Sequence, residues 1–336
     1  MKNLKIILFK AARLLGLFRL AAWITRKKLR ILCYHGYSVS DEHNWDPWVF
    51  MTPELMHERF RHVKESGYSV ILLGDAVRRL REGTLPDRSV VITFDDGFAT
   101  TLHEGVKMLL EYSFPATFYV TSYYVLHQHP IFRLAVQYSF WKTSRGTLAL
   151  GELAIGKAGI VSLDEPARNR AMWEIIEEGE RNRDNAQRDM LIRRLGRALG
   201  VDAEPIFADR RFHLLTTDEI LACVKSGFDV QLHMHNHQFP DDPEKLRSEI
   251  VQNREILEPL AGKKLTHLCY PSGAYRRDRW PQLAEMGIES ATTCEPGLNT
   301  ADTPALGLKR QLDSQIITQV EFEAELSGFV ELLRRR

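Results

Sequence analysis

The sequence predicts an α/β fold, a distorted (β/α) barrel of about seven parallel strands with a helical insertion in one βα loop. Three observations carry this. Short apolar, β-branched runs alternate with helical stretches from residue 30 to about 126, and again from about 216 to the end. Between about 127 and 212 the alternation stops, and aromatic then charged helical segments follow without strands. The chemically versatile residues fall directly after predicted strands, where such folds build their sites.

The elements follow in order. Residues 1–29 read as a basic amphipathic helix, with Lys5, Lys10, Arg13 and Arg19 breaking up an otherwise apolar run. No uncharged stretch approaches the roughly 20 residues of a spanning helix. Two placements stand side by side: on an anionic membrane face, or on the outside of the barrel. Residues 30–336 then form the barrel. RILCYH is the first strand. Thr52 caps a helix opened by Pro53 and closed near Gly67. Strands at 68–72, 89–94 and 116–120 alternate with helices at 74–82 and 100–112. The insertion of about 127–212 interrupts here; it either roofs the site, docks a protein or merely adds soluble surface. Strands at 228–232, 265–270 and 290–293 alternate with helices at 217–227, 243–260 and 281–286. A helix over 321–333 closes the chain.

The 336 residues are 44% hydrophobic and 26% charged, which is globular rather than disordered. A net charge of +1 gives no general basic field, so no nucleic-acid partner is expected. Cys33, Cys223, Cys269 and Cys294 form no CxxC pair, and buried free thiols are expected rather than disulfides or a zinc ribbon. No small-residue cleavage site follows a clean apolar core, so the expected location is cytoplasmic, associated with the inner face of the membrane.

Three motifs carry chemistry. VVITF runs into Asp95-Asp96-Gly97. Two adjacent carboxylates at a strand end repel unless one binds a cation, which leaves the other free as a base; the plain alternative is a capping turn. His233, His235 and His237 follow another strand. A helical turn would aim His233 and His237 at one point, whereas an extended chain would put all three on one side; a solvated polar loop is the plain alternative. Two His and one Asp leave a coordination position open, as a hydrolytic zinc site requires. Tyr270-Pro271-Ser272-Gly273 follows a third strand, and such a turn can aim a backbone N–H into a site or simply be a turn.

In this order the motifs resemble the NodB-like polysaccharide deacetylases, carbohydrate esterase family 4, of the kind found in exopolysaccharide biosynthesis. Residues 93–97 match the family's T-F-D-D-G letter for letter; His233 to His237 and Cys269 to Gly273 take the places of its second and third motifs. The resemblance implies a metal-dependent hydrolase that removes N-acetyl groups from a glycan. Asp95 resembles the base, and Asp96, His233 and His237 the ligands of a divalent metal, zinc first with cobalt, nickel or manganese as alternatives. The Ser272 N–H matches the oxyanion donor, and His235 matches no metal role. Two departures stand out. The third motif's arginine, which orients the base, is Cys269, and Arg310 is expected to supply that charge from another strand. The family's late histidine, the general acid, has no counterpart after residue 267. A matching strand occurs at the start, Ile31 to Gly36, which implies circularly permuted motif order and His35 as the acid. Trp45, Trp48, Tyr123, Tyr124 and Tyr275 lie in predicted βα loops and suit sugar rings. The rival readings are an O-acetyl esterase or non-sugar amidase using the same site, and a catalytically idle glycan-binding scaffold.

Overall fold

A computed structural model describes residues 2–334. Met1, Arg335 and Arg336, at the ends of the two expected segments, lie outside the described residues.

Strands β1 (Arg30–Tyr34), β2 (Ser69–Val70), β3 (Ser89–Phe94), β4 (Thr117–Val120), β5 (Asp229–Leu232), β6 (His267–Cys269), β7 (Ser290–Thr292) and β8 (Gln311–Leu312) form one sheet. Seven of them run side by side in the order β7-β6-β5-β4-β3-β1-β8, and β2 pairs with the start of β3. All ladders are parallel, and the sheet curls into the distorted barrel that the alternation predicts. Every residue of β1, β3, β4 and β5 is buried. Helices cover one side and barrel contents the other, which is why these strands read as continuous runs without polar alternation.

The first and last strands are neighbours: Leu32 pairs with Gln311 and Cys33 with Leu312. A strand at the front of the chain can therefore do the work of one at the back. Helix starts follow local chemistry. Thr52 accepts a hydrogen bond from Leu55 N with Pro53 in the first turn, and Thr216 and Glu219 form a reciprocal capping box.

Several expected elements change. The amphipathic segment is two helices, α1 (Lys2–Leu14) and α2 (Leu17–Ile24), hinged at Gly16 with φ 74°. The strand expected over 68–72 shrinks to Ser69–Val70, and the helix over 100–112 opens with a π-helical turn at Thr101–Val106. The closing helix is split into Gln319–Leu326 and Phe329–Arg334, because Gly328 at φ 79° breaks the helical path.

The insertion follows β4. Its helices Phe132–Lys142, Ala167–Asn182 and Asn185–Leu199 pack with an antiparallel hairpin of Thr147–Ala149 and Ile160–Ser162, so it is not purely helical. Three-residue strands are too short to show a period of two, which is why the hairpin was not expected. The insertion core joins the barrel through Phe50, Phe98 and Phe212. Arg211 reaches back to Glu42 at 2.7 Å. The excursion is thus clamped to the loops beside the carboxyl ends of β1 and β3.

One close approach in this core is testable. A Cβ on Gly179 would lie 2.2 Å from Phe132 Cε1 and 2.3 Å from Cζ. The ring is buried and has little room to give. Gly179→Ala is expected to destabilise the protein by about 1–3 kcal/mol, read as a lower urea midpoint. An unchanged midpoint would show that the two helices do not meet this closely.

Candidate active site

Asp95 continues the β3 ladder, its N–H donating to Tyr34 O at 2.8 Å. Its side chain turns into the barrel and is buried. Arg310 grips it with both arms: Nη1 donates to Oδ1 and Nη2 to Oδ2, each at 2.7 Å. Burial pushes the carboxyl up, but the Arg310 charge and its hydrogen bonds outweigh that and hold it well below the usual carboxylate range. The Cys269 and Cys33 thiols point at Oδ2 from 3.2 and 3.5 Å. Arg310 is itself fully buried, and its Nε donates to Thr293 O at 2.9 Å. Its Nη2 also lies 3.2 Å from Cys269 Sγ.

Asp96 faces the other way. It adopts φ 68°, followed by Gly97 at φ 85°. These left-handed conformations turn two adjacent carboxylates apart. Asp96 Oδ1 meets His233 Nε2 at 3.0 Å and His237 Nε2 at 3.2 Å. The histidine segment is neither of the two regular forms considered. Met234 and His237 both take positive φ, 63° and 55°, so the chain loops and brings His233 and His237 to one carboxylate. His235 is excluded from this point: its Nδ1 bonds Ser122 Oγ at 3.0 Å and its ring lies against Tyr123.

The donor set fits a cation. One ligand atom each from Asp96, His233 and His237 lies within 4.8 Å of the others. His233 Nδ1 faces the Cys269 carbonyl at 2.9 Å, so this nitrogen carries the proton. In the neutral ring Nε2 is then a bare lone pair aimed at a carboxylate oxygen. Two acceptors at that distance need a positive charge between or on them. Burial works against the His233 cation, but the hydrogen bond and charge of Asp96 raise its pKa. Conversely, burial pushes Asp96 up, and His237 and His233 hold it well below the carboxylate range.

Two polar residues that the sequence reading missed hold this loop. Asn253 Oδ1 accepts from His233 N at 3.0 Å, while its Nδ2 donates to Val120 O at 3.1 Å and Ser122 Oγ at 2.9 Å. Glu249 accepts from Asn236 N and Nδ2, both at 2.7 Å. Both are buried and lie four apart on the Pro243–Ala261 helix. A polar i,i+4 pair among buried positions was the available signal.

His35 follows β1, with Nε2 3.9 Å from Asp95 Oδ2. Ser272 sits in a tight turn after β6, exposed and at φ 54°. The turn rests on Cys294: a Cβ on Gly273 would lie 2.8 Å from Cys294 Cβ and Sγ, so only glycine fits. Of the loop aromatics, Trp45 is a packing residue, wedged against Phe50, Tyr138 and Phe212. Trp48 is exposed, and Tyr275 stacks between Tyr270 and Trp280.

The Asp95–Arg310 pair makes a prediction independent of any reaction. Arg310→Gln leaves a buried carboxylate unpaired and is expected to cost about 3–5 kcal/mol. In an Asp95→Asn background the same change should cost less, with a coupling of about 1–3 kcal/mol from denaturant titration of the four proteins. Additive losses would show that the two do not interact.

Comparison with known proteins agrees with this geometry. The chain matches the polysaccharide deacetylase family over residues 82–157 and 196–291, half of its length. Among curated proteins none matches. Among solved structures it is similar to the Streptococcus pyogenes deacetylase PplD in complex with acetate, at 17% identity and TM-score 0.60, over 90% of this chain and 99% of that one. It is also similar to IcaB from Ammonifex degensii, at 16% identity and TM-score 0.57, over 89% and 97%. A third is a de-N-acetylase from Aggregatibacter actinomycetemcomitans, at 14% identity and TM-score 0.55, over 89% and 99%. At these identities the structures establish the shared fold, and the sequence match establishes the lineage: the chain belongs to the polysaccharide deacetylase family.

Proposed function

We propose that this deacetylase hydrolyses the N-acetyl groups of a glycan with the help of a divalent cation, zinc foremost, held by Asp96, His233 and His237. One observation carries the reading. Two imidazoles and a carboxylate converge within 4.8 Å, while the neighbouring carboxylate, Asp95, is held ionised apart from them. Two nitrogens and one oxygen with an open position suit hydrolytic zinc. A cation held there would supply Lewis acidity, enough to polarise the acyl oxygen and to let so weak a base as Asp95 serve.

The chain's own residues divide the remaining work. Asp95 takes the proton of the attacking water. Arg310 uses one lone pair on each carboxylate oxygen and fixes the plane of the group; the thiols of Cys269 and Cys33 crowd Oδ2, so the remaining lone pair of Oδ1 takes the water's proton. The Ser272 N–H donates to the acyl oxygen as it gains charge. His35, beside Asp95, delivers a proton to the departing amine nitrogen. The C–N bond breaks, and acetate and a free amine leave.

The test combines metal content with acetate release, on N-acetylglucosamine oligomers and on an O-acetylated glycan. Wild type is expected to bind about one metal per chain and to release acetate from the N-acetyl substrate. His233→Ala/His237→Ala should lose both. Asp95→Asn should keep the metal and lose turnover by about 100-fold or more; full activity in that variant would remove the role of Asp95. Release from the O-acetyl substrate alone would make the enzyme an esterase.

A further inference from the structure

We propose that α1 and α2 form a preformed docking surface for an anionic phospholipid bilayer. Each helix has two apolar faces. The inner face is occupied: Phe9, Ala12 and Phe18 pack with Val320 and Ala324. Arg13 bonds Glu323, Lys5 pairs with Glu321, and the Thr25 hydroxyl meets Ser327 O at 3.1 Å. The helix pair is thereby fixed on the barrel flank, not held as a loose tail.

The outer face has no partner. Leu14 is 86%, Leu15 77% and Trp23 59% exposed, with Leu8, Leu20 and Ile24 beside them. Among the described residues, nine of the twenty exposed large apolar side chains lie in these two helices and their hinge. Singly exposed leucines are ordinary, but a contiguous concentration marks an interaction surface. No helix among the described residues is long and apolar enough to cross a membrane. A surface helix pair needs only to sink its apolar face to headgroup depth.

Charge selects the occupant. The first 40 residues hold nine Lys and Arg and no Asp or Glu. Lys10 and Arg19 are exposed beside the apolar side chains with no ion pair among the described residues, while Arg26 and Lys27 share Asp87, at 3.6 and 2.8 Å, and Arg26 covers the Trp23 ring at 4.9 Å. Tryptophan next to arginine suits the lipid–water boundary. A second copy fits poorly, because a two-fold interface would set this basic rim against itself. Anionic headgroups instead answer the positive excess that remains at Lys10 and Arg19 after Asp87, Glu321 and Glu323 have paired their neighbours.

The test is cosedimentation of the full chain with vesicles of phosphatidylcholine alone, or with about one third phosphatidylglycerol. Partitioning is expected to be at least about tenfold stronger on the anionic vesicles and to weaken with salt. Leu14→Gln/Leu15→Gln/Trp23→Gln should lose about tenfold or more of it, while acetate release from a soluble glycan stays unchanged. Brominated lipid should quench tryptophan emission in wild type and less in Trp23→Phe, a substitution that keeps the apolar ring. Equal partitioning of wild type and triple variant, or unchanged quenching in Trp23→Phe, overturns the proposal. So does a lipid-free dimer that the triple variant dissolves, since the face would then bind a second copy.

Discussion

The Asp95–Arg310 pair is the constraint on which the site depends. Two charges without solvent would be costly apart; held in fork geometry, each satisfies the other. Asp95 stays ionised only because the guanidinium outweighs its burial. Yet Arg310 stands immediately before a strand of two residues, β8. Such a short element does not fix a long side chain by itself. Both of its flanks are pinned instead. Upstream, Asn299 exchanges two hydrogen bonds, both 2.8 Å, with the backbone of Lys309. Downstream, Asp313 pairs with the buried Arg59 at 2.9 Å. A second buried ion pair thus sets the register of the strand that carries the first.

The sheet order explains how distant segments meet. Asp95 and Asp96 leave β3, His35 leaves the adjacent β1, and Arg310 precedes β8 on the other side of β1. The histidines leave β5, and Ser272 leaves β6. Between β3 and β5 lies β4, which adds no side chain to the Asp96–His233–His237 cluster but carries the insertion. Its end still matters, because Val120 O and Ser122 Oγ anchor Asn253, which in turn holds His233. The strand that adds nothing to the cluster positions the one that adds two histidines.

What the sequence made legible is what short-range physics writes into it. Buried parallel strands appear as apolar runs, and helix caps appear as Thr-Pro or Thr-x-x-Glu. Asp95-Asp96-Gly97 and the three histidines stand out because charge at a strand end has no packing reason. The rest depends on long-range contact. That His235 turns to Ser122 while its neighbours turn to Asp96 follows from left-handed backbone at Met234 and His237, which neither residue type announces. Asn253 and Glu249 look like surface polar residues until the helix is docked. The strand β8 has too few residues to show any period.

Residues 269 and 310 depend on each other's size and charge. Cys269 Sγ lies 3.2 Å from Arg310 Nη2 and 3.2 Å from Asp95 Oδ2, so thiol, guanidinium and carboxylate share one buried contact. An arginine at 269 would place a second cation and a much larger side chain in that same space. A small, neutral residue there is therefore a condition for Arg310 to enter from the other strand, not simply a loss. Burial raises the Cys269 thiol well above its ordinary pKa, which keeps it neutral beside the carboxylate. The site thus holds one buried positive charge, delivered bidentately to one buried carboxylate, in a space that only a small neutral side chain at 269 leaves open.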